Sequence, residues 1–186
     1  MLKKLASVIL LGLIFVHEVP KLGLSNYGFE PVPEWRAPGR LEEALTELYK
    51  RPIEEIKQVV RLAYQLGNPV GFPTALDILA IIGVESSFKP NARGFGGQGI
   101  MQINPRVHEV ENLWDIEINM NFGVSLLKQY YSKAKSETLA LLFYNMGPSG
   151  ARAACQDFVP CSTPYSKKVR DLKRKFLEFI EDEGDK

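Results

Sequence analysis

One stretch of sequence decides the fold of this chain, namely Thr74-Ala-Leu-Asp-Ile-Leu-Ala-Ile-Ile-Gly-Val-Glu-Ser86. From Ala75 onward it is apolar at nearly every position, which is typical of a helix in the centre of a domain. Thr74 is followed three residues later by Asp77, a capping-box pattern that marks a helix start and makes Asp77 a structural carboxylate. The sequence therefore predicts one buried central helix over residues 75–86.

Glu85 stands in the last turn of this predicted helix. It shares a helical face with Ile78, Ile81 and Ile82, and the helix dipole disfavours a carboxylate at that end. Both effects favour the protonated acid and predict a raised pKa for Glu85. A carboxylic acid that stays protonated near neutral pH suits a general acid. Periodicity alone fits equally a glutamate that reaches solvent or a loop amide.

The chain on both sides of the central helix is also patterned for helices. We expect them at Leu41 to Leu48, Pro52 to Gly67, Ile118 to Ser132, Glu137 to Asn145 and Tyr165 to Asp182. In the first of these, Leu41, Leu45 and Leu48 are spaced for one apolar face. A glycine-rich loop, Gly94 to Gly99, follows the central helix. No alternation convincing enough for a large sheet and no internal repeat is present, so the predicted class is mainly α.

The first 20 residues carry an export pattern. Lys3 and Lys4 precede an apolar stretch, Leu5 to Val16, as in a secretory signal peptide. This stretch is short for a membrane-spanning helix, which needs roughly 20 residues. No small-x-small cleavage site follows, so residues 1–20 are predicted to be a signal peptide or an N-terminal membrane anchor. A buried N-terminal helix is the alternative.

The remaining length fits one ordinary domain. The chain has 186 residues, and its 23 Lys and Arg against 22 Asp and Glu give no whole-protein argument for binding nucleic acid. The basic run within residues 167–175 is interpreted as the solvated face of a C-terminal helix. Residues 21–40, rich in proline and glycine, are predicted to be a linker, and residues 41–183 a single domain.

Cys155 and Cys161 are separated by five residues. In an exported protein this spacing favours one small disulfide loop, whereas in a cytosolic protein the same residues would be two unpaired buried thiols. A zinc site wants four ligands, and His17 and His108 are isolated in the sequence. We therefore expect no metal site and no cofactor.

Four ordered motifs give the chain a resemblance to the SLT-type (soluble lytic transglycosylase) domain of the lysozyme-like superfamily. They are Glu85-Ser-Ser-Phe-Lys-Pro-Asn-Ala92, Gly99-Ile-Met-Gln-Ile-Asn-Pro105, Ala140-Leu-Leu-Phe-Tyr-Asn-Met-Gly-Pro148, and Tyr165 followed by Val169. One such motif alone is weak, but four in order on a helical background are specific. The resemblance covers roughly residues 72–179 and implies a goose-type-like helical domain with a cleft.

The resemblance assigns roles to five residues. Glu85 matches the catalytic glutamate of the family, and Gln102 matches a polar residue that lines the cleft. Tyr144 and Asn145 match a tyrosine–asparagine pair near the glutamate, where they can orient the acid or hold sugar. Tyr165 matches a tyrosine near the active site. The last four are therefore candidate substrate-binding residues.

The sequence also departs from the family pattern. The loop Ala92 to Gly99 is about one residue shorter than usual, and Gly94 or its neighbour stands where many members have a serine. The hydroxyl's role is then lost or passes to Gln98 or Tyr165, and the sequence does not decide between these. The glycines allow close approach to a sugar or simply make a tight turn. Ser86, by contrast, is expected to be structural.

The chemistry implied by the resemblance uses one carboxyl group. Ordinary glycosidases use two carboxylates, but the remaining acidic residues near the motifs lie in a polar stretch interpreted as surface. These residues are Glu109, Glu111, Asp115 and Glu117. By resemblance, Glu85 protonates the leaving oxygen and then takes a proton from the C6 hydroxyl of N-acetylmuramic acid, which closes a 1,6-anhydro ring without water.

The implied partner is the peptidoglycan glycan strand. The alternatives are a goose-type-like lysozyme that hydrolyses the same bond, and a non-catalytic peptidoglycan-binding component of an envelope-spanning machine. The implied location is the periplasm, the outer face of the inner membrane or a phage virion, with membrane contact only through the N-terminus. The sequence does not choose between wall turnover and a role in secretion, conjugation or phage assembly.

Overall fold

A computed structural model describes residues 37–38, 40–155 and 161–181 of the chain. Its helices are α1 (Leu41–Tyr49), α2 (Ile53–Leu66), α3 (Ala75–Glu85), α4 (Ile116–Ala134), α5 (Glu137–Ala154) and α6 (Pro164–Glu181). Within these residues the extended pairing is limited to two isolated bridges, which join Gln98 to Arg93 and to Ile103. The predicted mainly α class is confirmed.

Helix α3 is the centre of the fold, as its sequence predicts. All but three of its residues are buried, and the helix packs against α2 and α6. At its start Thr74 and Asp77 form the predicted capping box: Asp77 N donates to Thr74 Oγ1 at 3.3 Å, and Thr74 N donates to Asp77 Oδ2 at 2.9 Å. This cap and the surrounding core fix the orientation of α3, and with it the position of its last residue, Glu85.

Two sequence expectations about the outer helices need correction. Leu41 and Leu45 are fully buried, but Leu48 is 38% exposed, so the apolar face of α1 ends before it. In the basic run of α6, Lys173 is not simply solvated, because its Nζ lies 2.7 Å from Oδ1 of the buried Asp77. This ion pair joins α6 to the start of α3.

Helix boundaries differ from the predictions at α4 and α5. Helix α4 begins two residues early because the side chain of Asp115 accepts a hydrogen bond from Ile118 N at 2.9 Å and caps the helix. Helix α5 continues beyond Asn145 to Ala154, but it is broken at Gly147, whose φ of 74° and ψ of 163° are not helical. The predicted helix therefore corresponds to the first piece of α5.

The loop between α3 and α4 is held in place by Asn119, a fully buried side chain of α4. Its Oδ1 accepts from Met101 N at 2.8 Å, and its Nδ2 donates to the carbonyls of Gln98 and Leu113 at 3.0 and 2.8 Å. Gly99 must be glycine there, because its φ is +78° and a Cβ would lie 2.1 Å from the Leu113 carbonyl oxygen.

Cys155 and Cys161 form the predicted disulfide, with 5.6 Å between their Cα atoms. No helix in the described part of the chain is both long and apolar enough to span a bilayer. The predicted export segment, residues 1–20, and nearly all of the predicted linker, residues 21–40, lie outside the described residues. The boundaries of the 41–183 domain stay a prediction, and the described helices run from 41 to 181.

Candidate active site

A cleft of about 610 Å³ opens where α3 ends. The glycine-rich loop, the segment that follows it, α4 and the first piece of α5 form its walls. Its lining residues are Glu85, Phe95, Gly97, Gln102, Ile103, Asn104, Val107, His108, Leu126, Tyr130, Phe143, Tyr144, Asn145, Met146 and Gly147. The cleft thus brings together four of the five candidate residues, and Tyr165 is the exception.

Glu85 is the last residue of α3 and the sole carboxylic acid among the described residues that line this cleft. The chain turns away directly after it, because Ser87 and Phe88 have φ values of 52° and 60°. The buried ring of Phe88 anchors this turn in the core. Ser86 donates from Oγ to the carbonyl of Ile82 at 3.1 Å, which confirms its expected structural role.

Two opposing effects set the protonation of Glu85. Burial raises the pKa of its carboxyl group, and a hydrogen bond from the Tyr165 hydroxyl lowers it, with burial the larger effect. The net shift is upward, in the direction that the sequence predicted. The Tyr165 hydroxyl lies 2.6 Å from Glu85 Oε1. Burial therefore favours the protonated form of Glu85, while the Tyr165 hydroxyl is a donor that stabilises its carboxylate.

Tyr165 reaches Glu85 from the first turn of α6 and packs against the core instead of lining the cleft. Thr163 and Ser166 exchange hydrogen bonds at the start of this helix, Thr163 N to Ser166 Oγ at 3.1 Å and Ser166 N to Thr163 Oγ1 at 3.3 Å. Burial, with the nearby charge of Glu85, raises the pKa of the Tyr165 hydroxyl well above its usual value, so it stays a donor.

From the sequence, the role of the loop serine found in many family members is lost or passes to Gln98 or Tyr165, and the structure shows what these two residues contact. Of the two sequence candidates, Tyr165 places a hydroxyl on Glu85, whereas Gln98 pairs through its backbone with Ile103. Gln98 lies in the loop but does not line the cleft. The hydroxyl that contacts the acid therefore comes from α6.

Tyr144 lines the cleft, but its hydroxyl does not hold Glu85. It donates to the Met101 carbonyl at 2.8 Å, and burial raises its pKa well above the usual value. Gly123 of α4 makes room for this contact, because a Cβ there would lie 2.6 Å from Met101 Sδ and 3.1 Å from the Tyr144 hydroxyl. Tyr144 thus fixes the cleft wall, and the fully buried Met101 packs in the core.

Gln102 has a left-handed backbone with φ of 52°, and it lines the cleft while holding the glycine-rich loop. Its Nε2 donates to the carbonyls of Ala92 and Gly99 at 2.9 and 2.8 Å. Its Oε1 lies so close to Gly94 that a Cβ there would come within 2.4 Å. The Asn145 side chain, by contrast, is exposed in the cleft.

Sequence reasoning missed several residues of the site. Phe95, Val107, His108, Tyr130 and Phe143 all line the cleft, and no motif singled them out as ligand contacts. The sequence did contain a sign of the buried Asn119, which holds the loop. It shares a helical face with Gly123 and Leu127, and a polar side chain on a buried face needs hydrogen-bond partners. In the described chain no cluster of three or more His, Cys, Asp or Glu side chains is suited to a metal ion.

A helical domain whose buried central helix ends in a carboxyl group with a raised pKa at a cleft is consistent with the lysozyme-like fold class. Residues 75–157 match the family described as "Transglycosylase SLT domain". This match covers 83 of the 186 residues and supports an SLT-type lytic transglycosylase domain, consistent with the mainly α, lysozyme-like fold class. The matched range includes Glu85, Gln102, Tyr144 and Asn145, and Tyr165 follows it.

A search of curated proteins found no match, and neither did a search of solved structures. The SLT domain supports a peptidoglycan transglycosylase-type enzyme in general. It implies peptidoglycan as substrate and thereby an exported location.

Proposed function

We propose that the domain cleaves the β-1,4 bond between N-acetylmuramic acid and N-acetylglucosamine without water, with Glu85 as general acid and then base. One observation carries this proposal: the described cleft holds a single carboxylic acid, which burial keeps protonatable and Tyr165 contacts at 2.6 Å. An acid with a raised pKa is the group that protonation of a glycosidic oxygen requires.

In the first step, Glu85 donates its proton to the glycosidic oxygen while the bond from that oxygen to C1 of N-acetylmuramic acid breaks. A carboxylate develops on Glu85, and the Tyr165 hydroxyl stabilises it more strongly than it stabilises the neutral acid. Such an interaction accelerates the step because it strengthens in the transition state. Tyr165 is thus a positioning residue, which acts through Glu85.

The second step regenerates the acid. The described cleft offers no second carboxylate to act as nucleophile or to activate water, so the N-acetyl group of the substrate supports the charge at C1. The C6 hydroxyl of the same sugar then bonds to C1 and passes its proton to Glu85. The product is a 1,6-anhydromuramoyl end, and no water is consumed.

The other candidate residues have separate roles in this proposal. Gln102 and Tyr144 shape the cleft walls through their bonds to backbone carbonyls, and both present part of their surface to the glycan. Asn145 is exposed, so its amide is the group best placed to bond sugar hydroxyl or acetamido groups. In the lysozyme alternative, water would take the place of the C6 hydroxyl and pass its proton to the Glu85 carboxylate, and the mass of the product distinguishes the two reactions.

We further propose that the chain acts in the periplasm or at the outer face of the inner membrane, or as part of a phage virion. The disulfide between Cys155 and Cys161 supports an oxidising compartment. Residues 1–20, as signal peptide or anchor, would place the domain there.

The test is clearing of peptidoglycan in a zymogram by the wild-type chain and by Glu85→Gln. Glutamine keeps the shape and an acceptor for Tyr165 but has no proton of suitable pKa, so we expect clearing to disappear. Glu111→Gln is the matched control, because it makes the same change at an exposed residue outside the cleft. Equal clearing by Glu85→Gln and the wild type would sink the assignment of Glu85.

A further inference from the structure

Phe95 stands out among the cleft residues because its side chain is fully exposed, at 112% of the reference area. It lies at the tip of a tight turn in which Gly94 N donates to the Gly97 carbonyl at 3.1 Å and Gly96 N to the Gly94 carbonyl at 2.8 Å. Gly96 has φ of +93°, a conformation that favours glycine. The turn therefore holds the ring out from the protein.

The exposed ring contributes little to the fold. Phenylalanine is among the residues most often buried, so a fully exposed ring on a tied turn needs another explanation. The turn is tied by the Gln102 amide, which bonds the carbonyls of Ala92 and Gly99 on either side of it. Phe95 is thus an apolar surface presented at a defined place in the cleft wall.

Val107 adds a second exposed apolar side chain to the same cleft, at 68% exposure. Polar groups such as Gln102, Asn104 and Asn145 also line the cleft. A pyranose ring matches such a mixture, since its C–H groups form apolar faces and its hydroxyl and acetamido groups lie around the rim. An aromatic ring packs on a flat apolar face in an offset arrangement.

We infer that Phe95 is a sugar-binding platform on which one pyranose ring of the glycan strand packs. This inference rests on the proposed function, because it takes a glycan as the occupant of the cleft. Phe95 has no group that transfers a proton, so the contact contributes to binding and not to the chemical step. The platform belongs to the short glycine loop, where this chain departs from the serine pattern of its family.

The test uses the full chain acting on soluble glycan strands freed of their stem peptides. Phe95→Ala should raise KM about threefold to tenfold, the range for loss of one aromatic packing contact, with kcat within about twofold. Phe95→Tyr keeps the ring and should keep KM. Val70→Ala is the matched control, because Val70 is also exposed, at 88%, but lies outside the cleft.

Differences in stability should not affect the comparison of KM values. The Phe95 side chain buries no surface, so all variants should unfold at the wild-type temperature. An unchanged KM in Phe95→Ala, or an equal loss in Phe95→Tyr, would overturn the platform while leaving the proposed function in place. A fall in kcat at unchanged KM would overturn it as well. A wild-type chain that cuts no glycan would overturn the proposed function, and the platform with it.

Discussion

Replacing Tyr165 by phenylalanine removes one oxygen atom, the hydroxyl that donates to Glu85 Oε1 at 2.6 Å. The ring packs against the core and keeps its place in the variant, so the change is confined to that hydrogen bond. A hydrogen bond to a charged group contributes about 1.5–3 kcal/mol. Because 1.4 kcal/mol is a factor of ten in rate, kcat should fall about tenfold to a hundredfold.

The same substitution changes the pH dependence in a defined direction. The Tyr165 hydroxyl stabilises the carboxylate and lowers the pKa of Glu85, so its loss leaves burial unopposed and the pKa rises further. The acid must be protonated for the first step, so the alkaline limb of the kcat profile should move to higher pH. The ratio of wild-type to variant rates should therefore shrink as pH increases.

The assay is the initial rate of soluble glycan cleavage from pH 4 to 10, at saturating substrate. Tyr131→Phe is the matched control, because it removes a tyrosine hydroxyl outside the cleft. We expect its profile to overlay that of the wild type. If the Tyr165→Phe profile is lower but has the same alkaline limb, the hydroxyl does not tune Glu85, and the proposed positioning role is wrong.

Three further predictions concern stability. The pKa of Glu85 is higher in the folded state than its ordinary value of 4.5, so ionisation of Glu85 lowers the free energy of unfolding at pH values above the folded pKa. In urea titrations Glu85→Gln should therefore be more stable than wild type at pH 8, and this gain should be lost below about pH 4. Asn119→Ala leaves two buried backbone groups, Met101 N and the Leu113 carbonyl, without their side-chain partner and should lower the free energy of unfolding by about 3 kcal/mol. A loss below about 0.5 kcal/mol would contradict the role of Asn119 in holding the loop. Reducing the Cys155–Cys161 disulfide, whose sequence separation is 6, should cost about 2 kcal/mol, while a double Cys→Ala variant should be insensitive to reductant.

The sequence predicted those parts of the fold that depend on local patterns. Helix α3, its capping box at Thr74 and the stop of α2 at Gly67 follow from spacing and from residue types at helix ends. Leu48 was misjudged because apolar spacing in a short helix does not say how far a neighbouring helix extends to cover it. Lys173 was misjudged because its partner, Asp77, is distant in sequence.

The sequence predicted four residues that line the cleft, but it did not predict which side chains form hydrogen bonds with one another. The motifs named Glu85, Gln102, Tyr144 and Asn145, and the structure brings all four to one cleft. The hydroxyl that contacts Glu85 comes from a residue distant in sequence, so no local pattern identifies it. Tyr144, adjacent to Asn145 in the motif, bonds a backbone carbonyl instead, and the more distant Tyr165 bonds Glu85.

Phe95 shows a different limit of prediction from sequence. An isolated phenylalanine among glycines is compatible with a buried anchor or an exposed tip, and only the turn geometry between Gly94 and Gly97 shows the second. The departure of this loop from the family pattern was visible in the sequence. What the loop presents to the cleft was not.

The central claim, that one carboxyl group at Glu85 cleaves the glycan without water, is tested most directly by the oxygen atom at the new end. Peptidoglycan digested by the chain in ¹⁸O-labelled water should give muropeptides with 1,6-anhydro ends and no incorporated label by mass spectrometry. Reducing ends that carry ¹⁸O, heavier than the anhydro product by one labelled water, would show hydrolysis and contradict the account.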